Sequence, residues 1–151
     1  MNIFHQIQQS VFDRISKIPM VANSIDESGA IPIQLWRGSN LTNELEAGLK
    51  KVGFGIIIKT GSVTQTGRDT WQMGILIELQ LNDQFNAGPW GKGVSGLDVA
   101  WEIANTLHRL VVDGSTSNFY NMTINSEASE QRFIERFTVT GTVQIKTPQP
   151  N

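Results

Sequence analysis

The chain has few of the side chains on which enzymes depend. Its 151 residues include no cysteine, one tyrosine and two histidines, His5 and His108. The absence of cysteine excludes disulfides, thiol nucleophiles and thiolate-bound metals. Neither histidine has further histidines or a cluster of acidic residues near it in the sequence, so the spacing of a metal site is missing as well. We therefore expect a structural or assembly protein, with no enzymatic activity, no cofactor and no bound metal.

Charge and long apolar runs are also scarce. Charged residues make up 17% of the chain, the net charge is -2, and the lysines and arginines are scattered, which argues against nucleic acid as the main partner. Polar residues interrupt the segment from Met1 to Ile18, so it is neither a signal peptide nor a membrane span. We expect no membrane contact and a protein that stays where it is made.

Two long segments alternate between apolar and polar residues. The apolar residues of the first segment are Trp71, Met73, Ile75, Ile77, Leu79 and Leu81. Those of the second are Phe133, Phe137, Val139, Val143 and Ile145. A period of two is that of a strand with one buried and one wet face, which is typical of antiparallel sheets.

Three further segments have a helical period of apolar residues, namely Ile3 to Ile18, Leu41 to Val52 and Leu97 to Val111. A short strand containing Pro32 lies between the first two, and proline favours the edge of a sheet. The elements then follow the order helix, strand, helix, hairpin, helix, hairpin. Because we expect turns to connect neighbouring strands, this order predicts an α+β fold: a mainly antiparallel sheet with extended hairpins and about three helices. The predicted buried face of the third helix consists of Leu97, Trp101, Ala104, Leu107 and Val111.

The length of the chain fits one domain, predicted over residues 1–147, with a flexible tail over 148–151. Two segments of this domain are candidates for contact with other proteins. One is the polar tip of the first hairpin, Lys59 to Arg68, with Thr64, Gly67 and Arg68 as predicted contact residues. The other is the glycine-rich loop from Asn82 to Gly96, because loops of this length in compact domains are usually functional or mobile. Its predicted contact residues are Phe85, Pro89, Trp90 and Lys92.

The same loop contains Gly91, Gly93 and Gly96, which spell the GxGxxG pattern of dinucleotide-binding proteins. In that fingerprint the first glycine directly follows a strand, and a second parallel strand supplies an acidic residue. Here the residues from Asn82 to Trp90 intervene, and Asp113 lies at the end of the helix. A flexible loop before a capped helix is the preferred interpretation, and a small nucleotide-binding enzyme using Gly91 to Gly96 is the alternative from another class.

In this order of elements the chain resembles the tail terminator, or tail completion, proteins of long-tailed bacteriophages and prophage-derived particles. The resemblance covers nearly the whole chain and begins with an N-terminal helix that ends near Ile18. It continues through the segments IPIQLWRG, WQMGILIELQL, SGLDVAWEIANTLHRL and RFIERFTVTGTVQI.

The resemblance implies a structural subunit of the virion that is assembled in the host cytoplasm. The resemblance implies that copies form a hexameric ring on the head-proximal end of the tail. There they would cap the tail tube, end its elongation and provide the surface for head joining. The implied partners are further copies of the chain, the tail tube protein and a head completion or connector protein, with DNA only passing through the ring. Another head-to-tail connector or a tail-tube protein is the alternative within this class.

Overall fold

The computed structural model describes residues 3–22, 33–35, 53–82, 96–127 and 134–146. The bounds of its helices are Ile3–Ser16 (α1) and Gly96–His108 (α2). Those of its strands are Ile33–Leu35 (β1), Phe54–Gln65 (β2), Thr70–Asn82 (β3), Tyr120–Glu127 (β4) and Ile134–Lys146 (β5). No helix within these ranges is long and apolar enough to cross a membrane.

The strands form one sheet in the order β1-β2-β3-β5-β4. β3 lies at its centre and pairs antiparallel with β2 on one side and with β5 on the other. β4 pairs antiparallel with β5, so four of the strands form an antiparallel sheet. With helices packed against this sheet, the predicted α+β class is confirmed.

The connections between strands differ from the prediction in two places. β1 lies at the predicted edge, but it pairs parallel with β2, from Ile33 opposite Ile56 to Leu35 opposite Ile58. α2 joins β3 to β4 across the intervening β5, so those two strands run in the same direction. The expectation that turns join all neighbouring strands was therefore wrong. Side-chain periodicity reports which face of a strand is buried and carries little information about which neighbour it pairs with.

The core lies between the sheet and the two helices. α1 packs against β1 and β2, and α2 packs against β3, β4 and β5. The predicted apolar face of β3 is buried from Met73 to Leu81, and Val139, Val143 and Ile145 of β5 are buried beside it. The apolar residues of neighbouring strands form one continuous face because the register places them side by side, with Ile77 opposite both Ile58 and Val139.

β2 is longer than its apolar residues indicate. The sequence analysis assigned Lys59 to Arg68 to the tip of the hairpin, whereas the strand continues to Gln65 and pairs with β3 as far as Gln65 opposite Trp71. Every residue from Thr60 to Thr70 is exposed. A segment with both faces in water has no apolar alternation, so the strand period could not be recognised.

α2 buries only part of the predicted face, namely Ala104 and Leu107. Val99, Ala100, Ile103, Ala104 and Leu107 are the buried residues of this helix beyond its first. Leu97 and Trp101, which were assigned to the core, are 56% and 63% exposed. Val111, beyond the helix, is also 63% exposed. The helix carries apolar residues on two adjacent stripes, and the small Ala100 allows the close approach to the sheet that Trp101 would prevent.

Several predictions concern residues outside the described ranges. These are the helix over Leu41 to Val52, the tail over 148–151 and the domain boundary at residue 147, which stay predictions. Gly53, which directly follows that predicted helix, has a φ of 87°, a conformation that glycine adopts without strain.

Because Ile77 is fully buried at the centre of the sheet, we expect Ile77→Ala to lower the free energy of unfolding by about 2–5 kcal/mol. Leu76→Ala is the matched control, since the side chain of Leu76 lies on the half-buried opposite face. We expect it to cost about 1 kcal/mol. Urea unfolding followed by circular dichroism measures both, and equal losses would contradict the assignment of the two faces.

Candidate assembly surface

The first hairpin extends the sheet as an arm, here called the hairpin arm and defined as residues 60–72. At its base Trp71 packs against the core, and Val63 lines a shallow groove with the first turns of α1. Its backbone is strand over residues 60–65 and 70–72, with Val63 opposite Met73 and Thr64 opposite Gln72, and residues 66–69 form the turn between them. Three residues predicted as contact residues, Thr64, Gly67 and Arg68, lie in this arm and are exposed. The arm therefore presents backbone and side chains to solvent in a fixed geometry.

The turn at the end of the arm is held by hydrogen bonds to Thr70. The amides of Thr66 and Gly67 donate to the Thr70 carbonyl at 2.9 and 3.3 Å. The Thr66 hydroxyl lies 3.3 Å from both the carbonyl oxygen and the hydroxyl of Thr70. The Gln65 side-chain amide donates to the Arg68 carbonyl at 3.2 Å, which closes the turn from the other side. These contacts fix the position of Arg68 at the tip.

One side of the arm is anchored and the other is an edge. On the anchored side β3 pairs with β5 as far as Thr70 opposite Lys146. The neighbouring Gln144 carbonyl accepts a 2.9 Å hydrogen bond from the Thr116 amide. On the other side, β1 pairs only with Ile56 to Ile58, so no described strand covers residues 60–65 of β2. An uncovered strand edge favours pairing or packing with another chain.

A bulge and two glycines lie at the foot of the arm. The register of β2 against β3 shifts between Thr60 and Val63. A Cβ atom added to Gly61 would lie 3.3 Å from the backbone of Gly74, so the two backbones approach closely here. β-bulges bend a strand and increase its twist. This foot therefore sets the direction in which the arm leaves the sheet.

The groove at this foot has little capacity for catalysis. Its volume is about 290 Å³ and it is open to solvent. Its lining consists of glycines, hydroxyl and amide side chains, Ile75 and Leu76, with no titratable residue. Within the described ranges, no three histidine, aspartate or glutamate residues lie close enough together to hold a metal ion. Polar pairs on this face of the sheet, such as Lys59 with Glu78 at 2.9 Å, link neighbouring strands instead.

The glycine-rich loop is only partly within the described ranges. Phe85, Pro89, Trp90 and Lys92 lie outside them, so their proposed contacts remain predictions. Gly91 and Gly93 of the GxGxxG pattern lie outside them too. Gly96 is the first residue of α2 and is buried, and a Cβ atom there would collide with Phe137 and Leu81. Close packing of helix on sheet accounts for this glycine without a bound nucleotide.

The structure also reveals two candidate contact residues that the sequence analysis placed in the core, Leu97 and Trp101. They are four positions apart on α2, so their side chains are neighbours on its outer face. One feature of the sequence could have identified them: this helix has more apolar residues than a single buried stripe can hold. We call Leu97, Trp101 and the two exposed acidic residues Asp98 and Glu102 the α2 patch.

Comparison with known proteins finds the fold in a virus-like particle. No family model and no curated protein matches the chain. Among solved structures, a chain from the "Virion of native gene transfer agent (GTA) particle" is similar, with a TM-score of 0.58. The match covers 95% of this chain and 97% of that chain at 9% sequence identity. The two chains therefore share a fold over nearly their whole lengths.

Gly67→Ala is expected to loosen the tip without unfolding the protein. A Cβ atom at this position would lie 2.5 Å from the Thr70 hydroxyl, which must then rotate away from Thr66. We expect faster hydrogen exchange of the turn amides and a loss of less than about 1 kcal/mol in the free energy of unfolding. Thr64→Ala is the control. Unchanged exchange in Gly67→Ala would show that the turn contacts do not hold the tip.

Gly96→Ala is expected to lower the free energy of unfolding by about 1–3 kcal/mol, since the added methyl group overpacks the contact with Phe137 and Leu81. Asn105→Ala, at an exposed position of the same helix, should change it by less than about 0.5 kcal/mol.

Thermal unfolding of the unmodified protein should be unaffected by millimolar NAD or ATP. A rise in Tm with either nucleotide would favour the nucleotide-binding alternative.

Proposed function

We propose that this protein is a structural component of a phage-like particle and acts as the tail terminator. Copies of the chain form a ring on the head-proximal end of the tail tube, end its elongation and provide the surface for head joining. The observation that carries the proposal is the fold shared with a gene transfer agent virion chain over 95% of this chain. Tail terminators, which the sequence resembles, are structural proteins of tailed particles, so the resemblance supports this more specific role.

The hairpin arm supports assembly into a ring. A closed cyclic ring uses heterologous contacts, in which one surface meets a different surface on the neighbouring copy. A projecting arm with an uncovered edge at residues 60–65 supplies one such surface. Because hydrogen bonds already order its tip, the arm loses little conformational entropy when it binds. A hexamer is the oligomer that the resemblance to tail terminators implies.

The proposal assigns no catalytic step. The groove at the foot of the arm has no titratable lining residue, and the polar pairs on the open face of the sheet join strands to one another. The partners in this role are the tail tube protein below the ring and a head completion or connector protein above it. DNA passes through the ring without being a specific ligand, in agreement with a net charge of only -2.

The loop residues Phe85, Pro89, Trp90 and Lys92 complete the proposed contact surface. Aromatic side chains are frequent among the residues that contribute most to binding at protein interfaces. We propose that Trp90 contacts a neighbouring subunit or partner, and Trp90→Ala should then reduce particle assembly while the monomer stays folded.

The role is tested by negative-stain imaging of particles from a strain that lacks this gene, with scoring of tail length and head attachment. Overlong or variable tails without heads are the expected result. Normal-length tails without heads would place the protein at a neighbouring connector position. Unchanged particles would contradict a role in the particle altogether.

Shortening the tip should separate assembly from folding. In this variant Asn-Gly replaces residues 66–70 between Gln65 and Trp71, because this dipeptide forms tight hairpin turns. We expect the purified variant to unfold cooperatively, and the gene encoding it to yield the same defective tails as the deletion. Asn125→Ala on β4 is the control at an exposed site away from the tip. Normal particles from the shortened variant would exclude the tip from assembly.

A further inference from the structure

The α2 patch is an apolar surface without a described covering element. Leu97 is 56% exposed and Trp101 is 63% exposed, and they are adjacent on the helix. Among the described residues, only two other large apolar side chains are exposed, Val63 and Val111. A tryptophan buries a large area when it packs, so leaving it in water forgoes much stabilisation. Such a pair on one helix face indicates a site of contact.

Acidic side chains flank this apolar pair. Asp98 and Glu102 are both exposed and are four positions apart, which brings two like charges together on the helix surface. Like charges at this spacing destabilise a helix by a few tenths of a kcal/mol. A cation supplied by another molecule would relieve this repulsion. The patch therefore suits a partner that has both an apolar side chain and a basic one.

The hairpin arm has both. Val63 is the exposed apolar residue of the arm, at 41% exposure, and Arg68 is exposed at its tip. The turn hydrogen bonds hold the tip in place, with the Arg68 carbonyl accepting from Gln65. The arm thus offers Val63 to the apolar side chains of the α2 patch and Arg68 to its acidic ones, with Asp69 beside Arg68 as the arm's one acidic residue.

The arm cannot reach the patch within its own chain. α2 begins against Leu81 and Phe137, at the end of β3 opposite to the arm. Thr70 and Leu81 are eleven residues apart on β3, which corresponds to roughly 35 Å along the strand. Pairing of β3 with β5 along this whole stretch prevents the arm from folding back. Arm and patch can therefore meet only between two copies.

We propose that the hairpin arm of one copy docks on the α2 patch of a second copy of this chain. Val63 packs against Leu97 and Trp101, and the Arg68 guanidinium lies beside the Glu102 carboxylate. The contact is head-to-tail, so every copy in a ring uses both surfaces. This inference rests on the proposed ring and names the two surfaces that form its subunit interface.

Disulfide cross-linking tests the contact directly, because the chain has no cysteine of its own. The Arg68→Cys and Glu102→Cys variants are purified, mixed and oxidised. In parallel, rings are counted in negative-stain images of the purified protein without substitutions. We expect a cross-linked heterodimer from this mixture, and a ladder of multimers when one chain carries both cysteines. Arg68→Cys mixed with Asn125→Cys is the control, since Asn125 is exposed on β4.

The outcomes separate this inference from the proposed function. Rings in the images with cross-linking no higher than in the control would overturn the arm-to-patch contact and leave the ring intact. No rings and no cross-links would overturn both. A Trp101→Ala protein that self-associates normally but no longer binds a tail tube would also overturn the contact, because the patch would then serve another partner.

Charge reversal adds a quantitative test. Arg68→Glu and Glu102→Arg should each weaken self-association about tenfold in sedimentation velocity, since each places like charges together at the interface. The double variant restores an opposite pair at every interface and should recover to within about threefold of the unmodified protein. Losses that simply multiply in the double variant would show that Arg68 and Glu102 do not meet.

Discussion

The pairing of β3 on both of its sides is the constraint on which the molecule depends. Its apolar face from Met73 to Leu81 forms the middle of the core, so the position of this strand is fixed by burial. Its first residues, from Thr70, continue the same ladder beyond the core. The hairpin arm is therefore held by a strand whose other end is buried. A polar segment that could not fold alone becomes a rigid projection in this way.

The sequence predicted those parts of the fold in which one face is buried. The alternation in β3 and β5 and the period of α1 correspond to the observed elements, because burial imposes that pattern. The extension of β2 to Gln65 could not be predicted, since all its residues beyond Lys59 are exposed and hydrogen bonds to β3 alone make it a strand. The parallel pairing of β1 could not be predicted either, because strand direction depends on the connections between strands and not on the side-chain period.

The candidate site was predicted only where polarity was unusual. Thr64, Gly67 and Arg68 were predicted as contact residues because a polar segment of that length exceeds what a turn needs. They lie exposed on the arm, and their contacts stay predictions. Leu97 and Trp101 were assigned to the core, because they continue the buried Ala104 and Leu107 at helical spacing. The true buried residues Val99, Ala100 and Ile103 continue the same pair just as regularly. Only the packing of Ala100 and Gly96 against the sheet distinguishes the two stripes.

A fold shared at 9% identity does not specify a function, so the role of this chain must depend on its surfaces. For the proposed role of ending tail growth, the geometry of the subunit contact is decisive. Head-to-tail contacts close into a ring at one angle and continue as a filament at others. The arm and the α2 patch lie at opposite ends of β3, so in the proposed contact the angle between successive copies depends on how the arm leaves the sheet. The bulge between Thr60 and Val63, together with the close approach of Gly61 to Gly74, sets that direction. The irregularity at the foot of the arm would then decide between a closed ring and an open filament.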